Sequence, residues 1–203
     1  CGLTTPATLD AAIAARAEYI GLMFVARSPR HVSLEGAAQL ARRAEGRIGR
    51  VGVFLDAPDA EIAEAVAAGL DVIQLHGAER PERAAELWQR HGLPVWTVLS
   101  VATRADLGRA SAYAGAAQLV LLDARTPKGA LPGGLGLSFD WSLLAGWKPP
   151  LPWGLAGGLS PANVAEAVRL TGAPLVDCSS GVESAPGVKD VDKIAAFCKA
   201  ARQ

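Results

Sequence analysis

The stretch RVGVFLDAPDAEIAEAVAAGLDVIQLHG, residues 50–77, decides the fold. It opens on a short apolar run at 50–54. A segment of helical period follows at 58–68, with Pro58 in a first turn, where its missing N–H would have no helical partner anyway. A second apolar run stands at 72–75. Two such runs joined through a helix form a parallel pair, because parallel neighbours need a long crossover connection. Neither run alternates polar with apolar residues, as expected of strands covered on both faces.

The alternation extends in both directions. Further strands are expected at 19–24, 95–99, 119–123, 153–156 and 175–178, and further helices near 6–16, 34–44, 81–91, 103–113, 161–171 and 190–201. The segment 140–145 has room for a short helix. Ser33 and Ser160 are placed to cap helices, and Pro6, Pro81 and Pro161 sit in first turns. No linker or repeat interrupts residues 1–203, so one domain is expected. The pattern is that of a (β/α)8 TIM barrel, with an open doubly wound sheet as the rival topology. A helix precedes the first clear strand, so a barrel needs one strand more, of which Cys1-Gly-Leu-Thr reads as the end and following turn. A closed barrel has no unpaired edge. The expectation therefore includes several residues ahead of Cys1 that form a short strand between 19–24 and 175–178.

Half of the 203 residues are hydrophobic, enough for a sizeable core. Twenty Lys and Arg balance twenty Asp and Glu, without the basic stripe of a nucleic-acid binder. No apolar run approaches the roughly 18 residues of a membrane span. Cys1, Cys178 and Cys198 show no metal-ligand spacing and are odd in number, which fits a reducing cytoplasm.

In such barrels the chemistry lies at the carboxyl ends of the strands. That rule selects Cys1, Arg30 after the strand at 19–24, Gln74 and His76 at the end of 72–75, and Asp123 at the end of 119–123. It also selects Gly157 and Gly158 after 153–156, and Asp177, Ser179, Ser180 and Gly181 after 175–178. Two glycine-containing turns after the last two barrel strands suggest a phosphate site, since backbone N–H groups reach an anion easily there. An arginine between a strand and a helix can hold a carboxylate through two parallel hydrogen bonds. His76 and Gln74 either face the mouth or pack against a neighbouring strand. The glycine-rich segment from Lys128 to Ser138 is long enough to be a lid or a surface loop. Cys178 and Cys198 read as packing residues.

Several segments in order carry a resemblance across essentially the whole chain. They are Cys1-Gly-Leu-Thr, Gly21-Leu-Met-Phe with Ser28-Pro-Arg, Val51-Gly-Val-Phe, Asp71-Val-Ile-Gln-Leu-His-Gly and Leu121-Leu-Asp. Gly133-Gly-Leu-Gly, Phe139-Asp-Trp, Leu155-Ala-Gly-Gly-Leu and Asp177-Cys-Ser-Ser-Gly-Val-Glu complete the set. Together they resemble the phosphoribosylanthranilate isomerases of tryptophan biosynthesis. The resemblance implies an Amadori rearrangement with Cys1 as general base and Asp123 as general acid. It further implies Arg30 on the anthranilate carboxylate and Gly157, Gly158, Ser179, Ser180 and Gly181 around the phosphate. Gln74, His76 and Asp177 would line the substrate. It implies no metal or organic cofactor, a phosphorylated small-molecule partner, and a monomer or homodimer. The family usually has Arg after Cys-Gly-Leu-Thr, where this chain has Thr5.

Three other readings compete. A sugar-phosphate epimerase barrel shares the phosphate turns. Indole-glycerol-phosphate synthase chemistry would want a lysine at a strand end, and none of the expected ends offers one. The third is a phosphate-ligand binder without catalysis, against which the retention of both Cys1 and Asp123 argues.

Overall fold

The structure, a computed structural model, describes residues 1–125 and 135–203. Six parallel strands pair in chain order: β1 (Tyr19–Met23), β2 (Gly49–Phe54), β3 (Val72–Leu75), β4 (Val95–Val101), β5 (Leu119–Ala124) and β6 (Trp153–Leu155). Six α-helices accompany them: α1 (Pro6–Ala14), α2 (Leu34–Ala44), α3 (Asp59–Ala67), α4 (Pro81–His91), α5 (Val164–Thr171) and α6 (Val191–Ala200). The strand expected at 175–178 is reduced to one parallel bridge between Leu155 and Val176. Its backbone still follows β6, with the Leu155 N–H donating to Leu175 O at 2.9 Å and the Asp177 N–H to Leu155 O at 2.8 Å.

Residue parity along the strands sorts inside from outside. Ile20 and Leu22 of β1, Ile73 and Leu75 of β3, and Val120 and Leu122 of β5 pack outward with Leu9, Leu40, Ile62, Leu87 and Val164 of the helices. The opposite parity points inward, where Val51, Val72, Trp96 and Leu121 form a separate apolar cluster. Gly21, Gln74 and Asp123 share that inward parity. Burying each large side chain contributes about 1.5–3 kcal/mol, so a register slip that exchanged the faces would be heavily penalised.

Cys1 to Leu3 stitch the sheet at its mouth. The Cys1 nitrogen donates to Cys178 O at 2.8 Å, and the Gly2 and Leu3 N–H groups both donate to Gly21 O, at 2.8 and 3.1 Å. Below this stitch, Tyr19 and Leu175–Val176 flank an apolar cavity of about 320 Å³ that also reaches Val51, Trp96 and Leu121. Tyr19 packs edge-on against Trp96 with ring centroids 4.9 Å apart. Among the described residues β1 is the end strand of the six-stranded sheet.

Several local expectations change. Residues 103–113 form a 3-10 helix, Arg104–Tyr113, rather than an α-helix. Its inward residues Leu107, Ala110 and Tyr113 are spaced by three, the period at which 3-10 side chains align. Residues Trp141–Leu144 likewise form a short 3-10 turn. α5 begins at Val164, not near 161, and Ser160 is not its cap. The Asn163 side chain instead holds the preceding turn, accepting from the Ser160 N–H at 2.8 Å and donating to Gly158 O at 3.0 Å. Pro58 is the N-cap of α3, one residue outside its first turn. Ser33 does cap α2, accepting from the Gly36 N–H at 3.1 Å. Thr5 caps α1 through the Thr8 N–H at 3.3 Å, a role open to its short hydroxyl side chain.

An antiparallel hairpin, β7 (Glu183–Ala185) and β8 (Val188–Lys189), was not expected. Its Pro186-Gly187 turn lies against the β1–α2 loop. Gly187 has φ +81°, and a Cβ there would come within 2.3 Å of Pro29 O.

Candidate active site

A cavity of about 480 Å³ opens at the carboxyl ends of the strands, within the size range of small-molecule sites. Its lining includes ten of the eleven residues singled out in the sequence: Cys1, Arg30, Gln74, His76, Asp123, Gly157, Gly158, Asp177, Ser179 and Ser180. The eleventh, Gly181, lies just behind the wall. A Cβ there would stand 2.0 Å from Leu159 O and 3.0 Å from Cys178 Sγ, so the turn closes only on glycine.

Asp123 is delivered by the inward parity of β5 and is buried. Its Oδ1 accepts the Ala124 N–H at 2.8 Å, and its Oδ2 lies 3.3 Å from His76 Nε2. His76 therefore faces the mouth and meets the carboxyl, which settles its two possible orientations. Gly157, at φ +83°, makes room for this pair, since a Cβ there would lie 2.7 Å from Asp123 Oδ1 and 2.6 Å from the Ala124 nitrogen. A Cβ on Gly158 would meet Leu137 O at 2.9 Å. The described end of the glycine-rich loop thus lies over the turn after β6. The part of the expected lid from Lys128 to Gly134 falls outside the described residues.

Two cysteines reach the mouth and differ in chemistry. Cys178 is buried, its thiol donates to Leu159 O at 3.0 Å, and burial pushes its pKa up to about 11. A thiol held protonated in this way is a poor base. Cys1 begins the stitch, its Sγ packed over Gly21 of β1. Asp177 Oδ1 lies 3.7 Å from the Cys1 nitrogen, and Ser179 Oγ donates to Cys1 O at 3.2 Å.

Arg30 differs from the expectation of a fork presented wholly to a ligand. Its Nε and Nη2 already grip Glu183, at 2.7 and 2.8 Å. Glu183 also accepts from Lys189 Nζ at 2.6 Å. Burial works to raise the Glu183 carboxyl, but hydrogen bonds from Arg30 and Lys189 hold it below the usual carboxylate range. Burial likewise lowers Lys189, against the pull of Glu183. Glu183 and Lys189 had no assigned role in the sequence reading. The Pro186-Gly187 pair was the available signal, because such a pair marks a turn that could fold Lys189 back beside Glu183.

Six parallel strands alternating with helices, with a thiol, a carboxyl and an imidazole brought into one cavity at the strand ends, are the arrangement of an enzyme of the (β/α)8-barrel class. A family model described as N-(5'phosphoribosyl)anthranilate (PRA) isomerase matches residues 1–200. The N-(5'-phosphoribosyl)anthranilate isomerase of Paramagnetospirillum magneticum is 54% identical, covering 100% of this chain and 95% of that protein. Its counterpart from Rhodopseudomonas palustris (strain BisA53) is 53% identical, covering 100% and 94%. The crystal structure of phosphoribosyl anthranilate isomerase from Thermotoga maritima superposes with a TM-score of 0.88 at 33% identity, covering 100% of this chain and 96% of that one. Another solved structure of the enzyme, in complex with reduced 1-(o-carboxyphenylamino)-1-deoxyribulose 5-phosphate, has a TM-score of 0.86 at 31% identity, covering 100% and 96%. The chain belongs to the phosphoribosylanthranilate isomerase family.

Proposed function

We propose that this chain isomerises N-(5-phosphoribosyl)anthranilate to 1-(2-carboxyphenylamino)-1-deoxyribulose 5-phosphate, with Cys1 as general base and Asp123 as general acid. The observation that carries the residue assignment is the convergence of both on one cavity from separate walls, Cys1 over β1 and Asp123 at the end of β5. Asp123 protonates the furanose ring oxygen, and the C1′–O bond breaks to give a Schiff base. The Cys1 thiolate removes the C2′ proton, leaving an enolamine. Tautomerisation adds a proton at C1′ and removes one from the C2′ hydroxyl, which restores both side chains. C1′ is reduced and C2′ oxidised within one molecule, so no external oxidant or reductant is consumed. A thiol with an ordinary pKa near 8.5 is a few per cent thiolate at neutral pH, so modest activation suffices.

The substrate's two anionic ends divide the cavity. The turns at Gly157–Gly158 and Ser179–Ser180, all four of which line the cavity, suit the phosphate. Arg30, held by Glu183 of the hairpin, suits the aromatic carboxylate. We place the single domain in the cytoplasm as a monomer or homodimer. Among the described residues no helix is long and apolar enough to cross a membrane.

The direct test follows the loss of phosphoribosylanthranilate fluorescence on adding the protein. Turnover accompanied by the ketose product is expected, and a folded protein without turnover would sink the activity. A second measurement tests the division of the site. Arg30→Ala should weaken carboxylate-bearing ligands by about 10-fold more than inorganic phosphate, while Ser180→Asp should do the reverse by setting like charges together. Equal weakening of both ligands by both variants would overturn the two-ended reading.

A further inference from the structure

Two hairpin residues and Arg30 of the β1–α2 loop bring three charged side chains into one buried wall. Side-chain exposure is 10% for Arg30, 5% for Glu183 and 1% for Lys189. Burying ions is expensive unless each is well paired, and such groups are often no more stabilising than apolar ones. The hairpin does not need them to stay in place. Its turn is seated under Pro29 at Gly187, Lys193 Nζ donates to Glu183 O at 2.7 Å, and the Asp190 N–H donates to Val182 O at 2.9 Å.

The contacts form a directed chain through the mouth. Glu183 Oε1 takes Arg30 Nε and Oε2 takes Nη2, so the plane of the guanidinium follows the plane of the carboxylate. Lys189 Nζ donates to the same Oε1 that takes Arg30 Nε, at 2.6 Å. The same ammonium donates to Ser179 O at 2.8 Å and to Ser179 Oγ at 3.2 Å. Ser179 Oγ in turn donates to Cys1 O at 3.2 Å. Arg30, Glu183 and Ser179 all line the cavity, whereas a mere staple could lie anywhere on the hairpin. One buried relay thus connects the arginine, the turn at Ser179–Gly181 and the backbone of Cys1.

We propose that Glu183 and Lys189 are positioning residues that set Arg30 at a given orientation and distance from the Ser179–Gly181 turn, and so select ligands carrying a carboxylate and a phosphate at matched separation. This rests on the two-ended reading of the cavity given above. Neither residue touches the reacting atoms. Their effect is carried by Arg30, whose fork they hold before any ligand arrives.

The test uses the full chain with Glu183→Gln and Lys189→Met combined. The pair removes one anion and one cation together, so Arg30 still supplies a single positive charge and the wall keeps its net charge. Glu183→Asp, which keeps every charge and shortens the reach by one methylene, serves if the double variant does not fold. Binding of reduced 1-(o-carboxyphenylamino)-1-deoxyribulose 5-phosphate, its counterpart lacking the carboxyl, and inorganic phosphate is measured by calorimetry. The double variant should lose at least about 10-fold of the parent's preference for the carboxylated ligand over its counterpart lacking the carboxyl. KM for the substrate should rise in parallel, and kcat should fall far less. Glu183→Asp should shift both in the same direction by about 3-fold or more.

An unchanged preference in a folded variant overturns the proposal. So does equal weakening of all three ligands, which is what a purely structural role would produce. A parent chain with no carboxylate preference overturns it as well. The binding readout does not require turnover. A chain that fails to isomerise, yet loses its preference in the double variant, would sink the activity while supporting the positioning role.

Discussion

Cys1→Ala and Asp123→Asn are each expected to lower kcat by at least about 10²-fold, with KM within a few-fold of the parent value. Both substitutions leave the fold's contacts largely in place. Asparagine at 123 is close in shape to aspartate, and its carbonyl oxygen can still accept the Ala124 N–H that now reaches Oδ1 at 2.8 Å. What it lacks is a proton to give to the ring oxygen. Alanine at position 1 keeps the backbone donation to Cys178 O, which involves no side-chain atom. It removes the thiol packed over Gly21, and Cys178 is unsuited to replace it because burial pushes its pKa up to about 11. General acid and general base each supply roughly 10²–10⁴-fold, so either loss should show in kcat. Measured kcat near the parent's for either variant would remove that residue from the mechanism.

The positions of these two residues were legible in the sequence because each ends a run expected as a strand, and barrel chemistry lies at the carboxyl ends of the strands. Once Leu119–Ala124 is read as a buried strand with Leu121 inside, Asp123 must point inside with it. In the structure the strand parity carries Gln74 inward with Val72 on β3, and His76 two residues on meets Asp123, an orientation the sequence alone had left open. Cys1 was placed as the end of a strand expected ahead of 19–24, and the structure adds that Gly21 on β1 leaves the space that its sulfur fills. Local turn chemistry was less legible. Ser160 looked like a helix cap, but Asn163 closes the turn through its own side chain, and nothing in residues 160–164 ranks those two options beforehand. The hairpin escaped because β7 and β8 are three and two residues long, too short for any hydrophobic period. The pairing of Arg30 with Glu183 joins residues 153 positions apart. No local pattern announces a contact of that range, and a lysine that ends 1% exposed runs against the usual reading of lysine as a surface residue.

Gly21→Ala should lower kcat by about 10²-fold while leaving the unfolding midpoint close to the parent's. Gly21 lies in mid-strand and is not among the residues with positive φ, so alanine can adopt its backbone without strain. In a strand interior, glycine is about 0.5–1 kcal/mol worse than alanine, which would offset part of any packing cost. The cost falls on one neighbour. A Cβ at position 21 would lie 2.5 Å from Cys1 Sγ, 3.1 Å from Cys1 Cβ and 3.0 Å from Cys1 Cα. Rotating the thiol away relieves the first contact but not the last, which belongs to backbone. The Cys1–Leu3 stitch must then move by several tenths of an ångström while Gly2 and Leu3 still bond to Gly21 O. A base has to be held within about half an ångström of its proton, so this displacement strikes catalysis before it strikes folding. The double variant Cys1→Ala with Gly21→Ala separates this from general damage. If Gly21 acts through the Cys1 sulfur, adding Gly21→Ala to Cys1→Ala should cost almost nothing further, because the group it displaces is already gone. Losses that simply multiply would show that Gly21 matters for some other reason, and a Gly21→Ala enzyme with parental kcat would show that the Cys1–Leu3 segment absorbs the added methyl without moving the base.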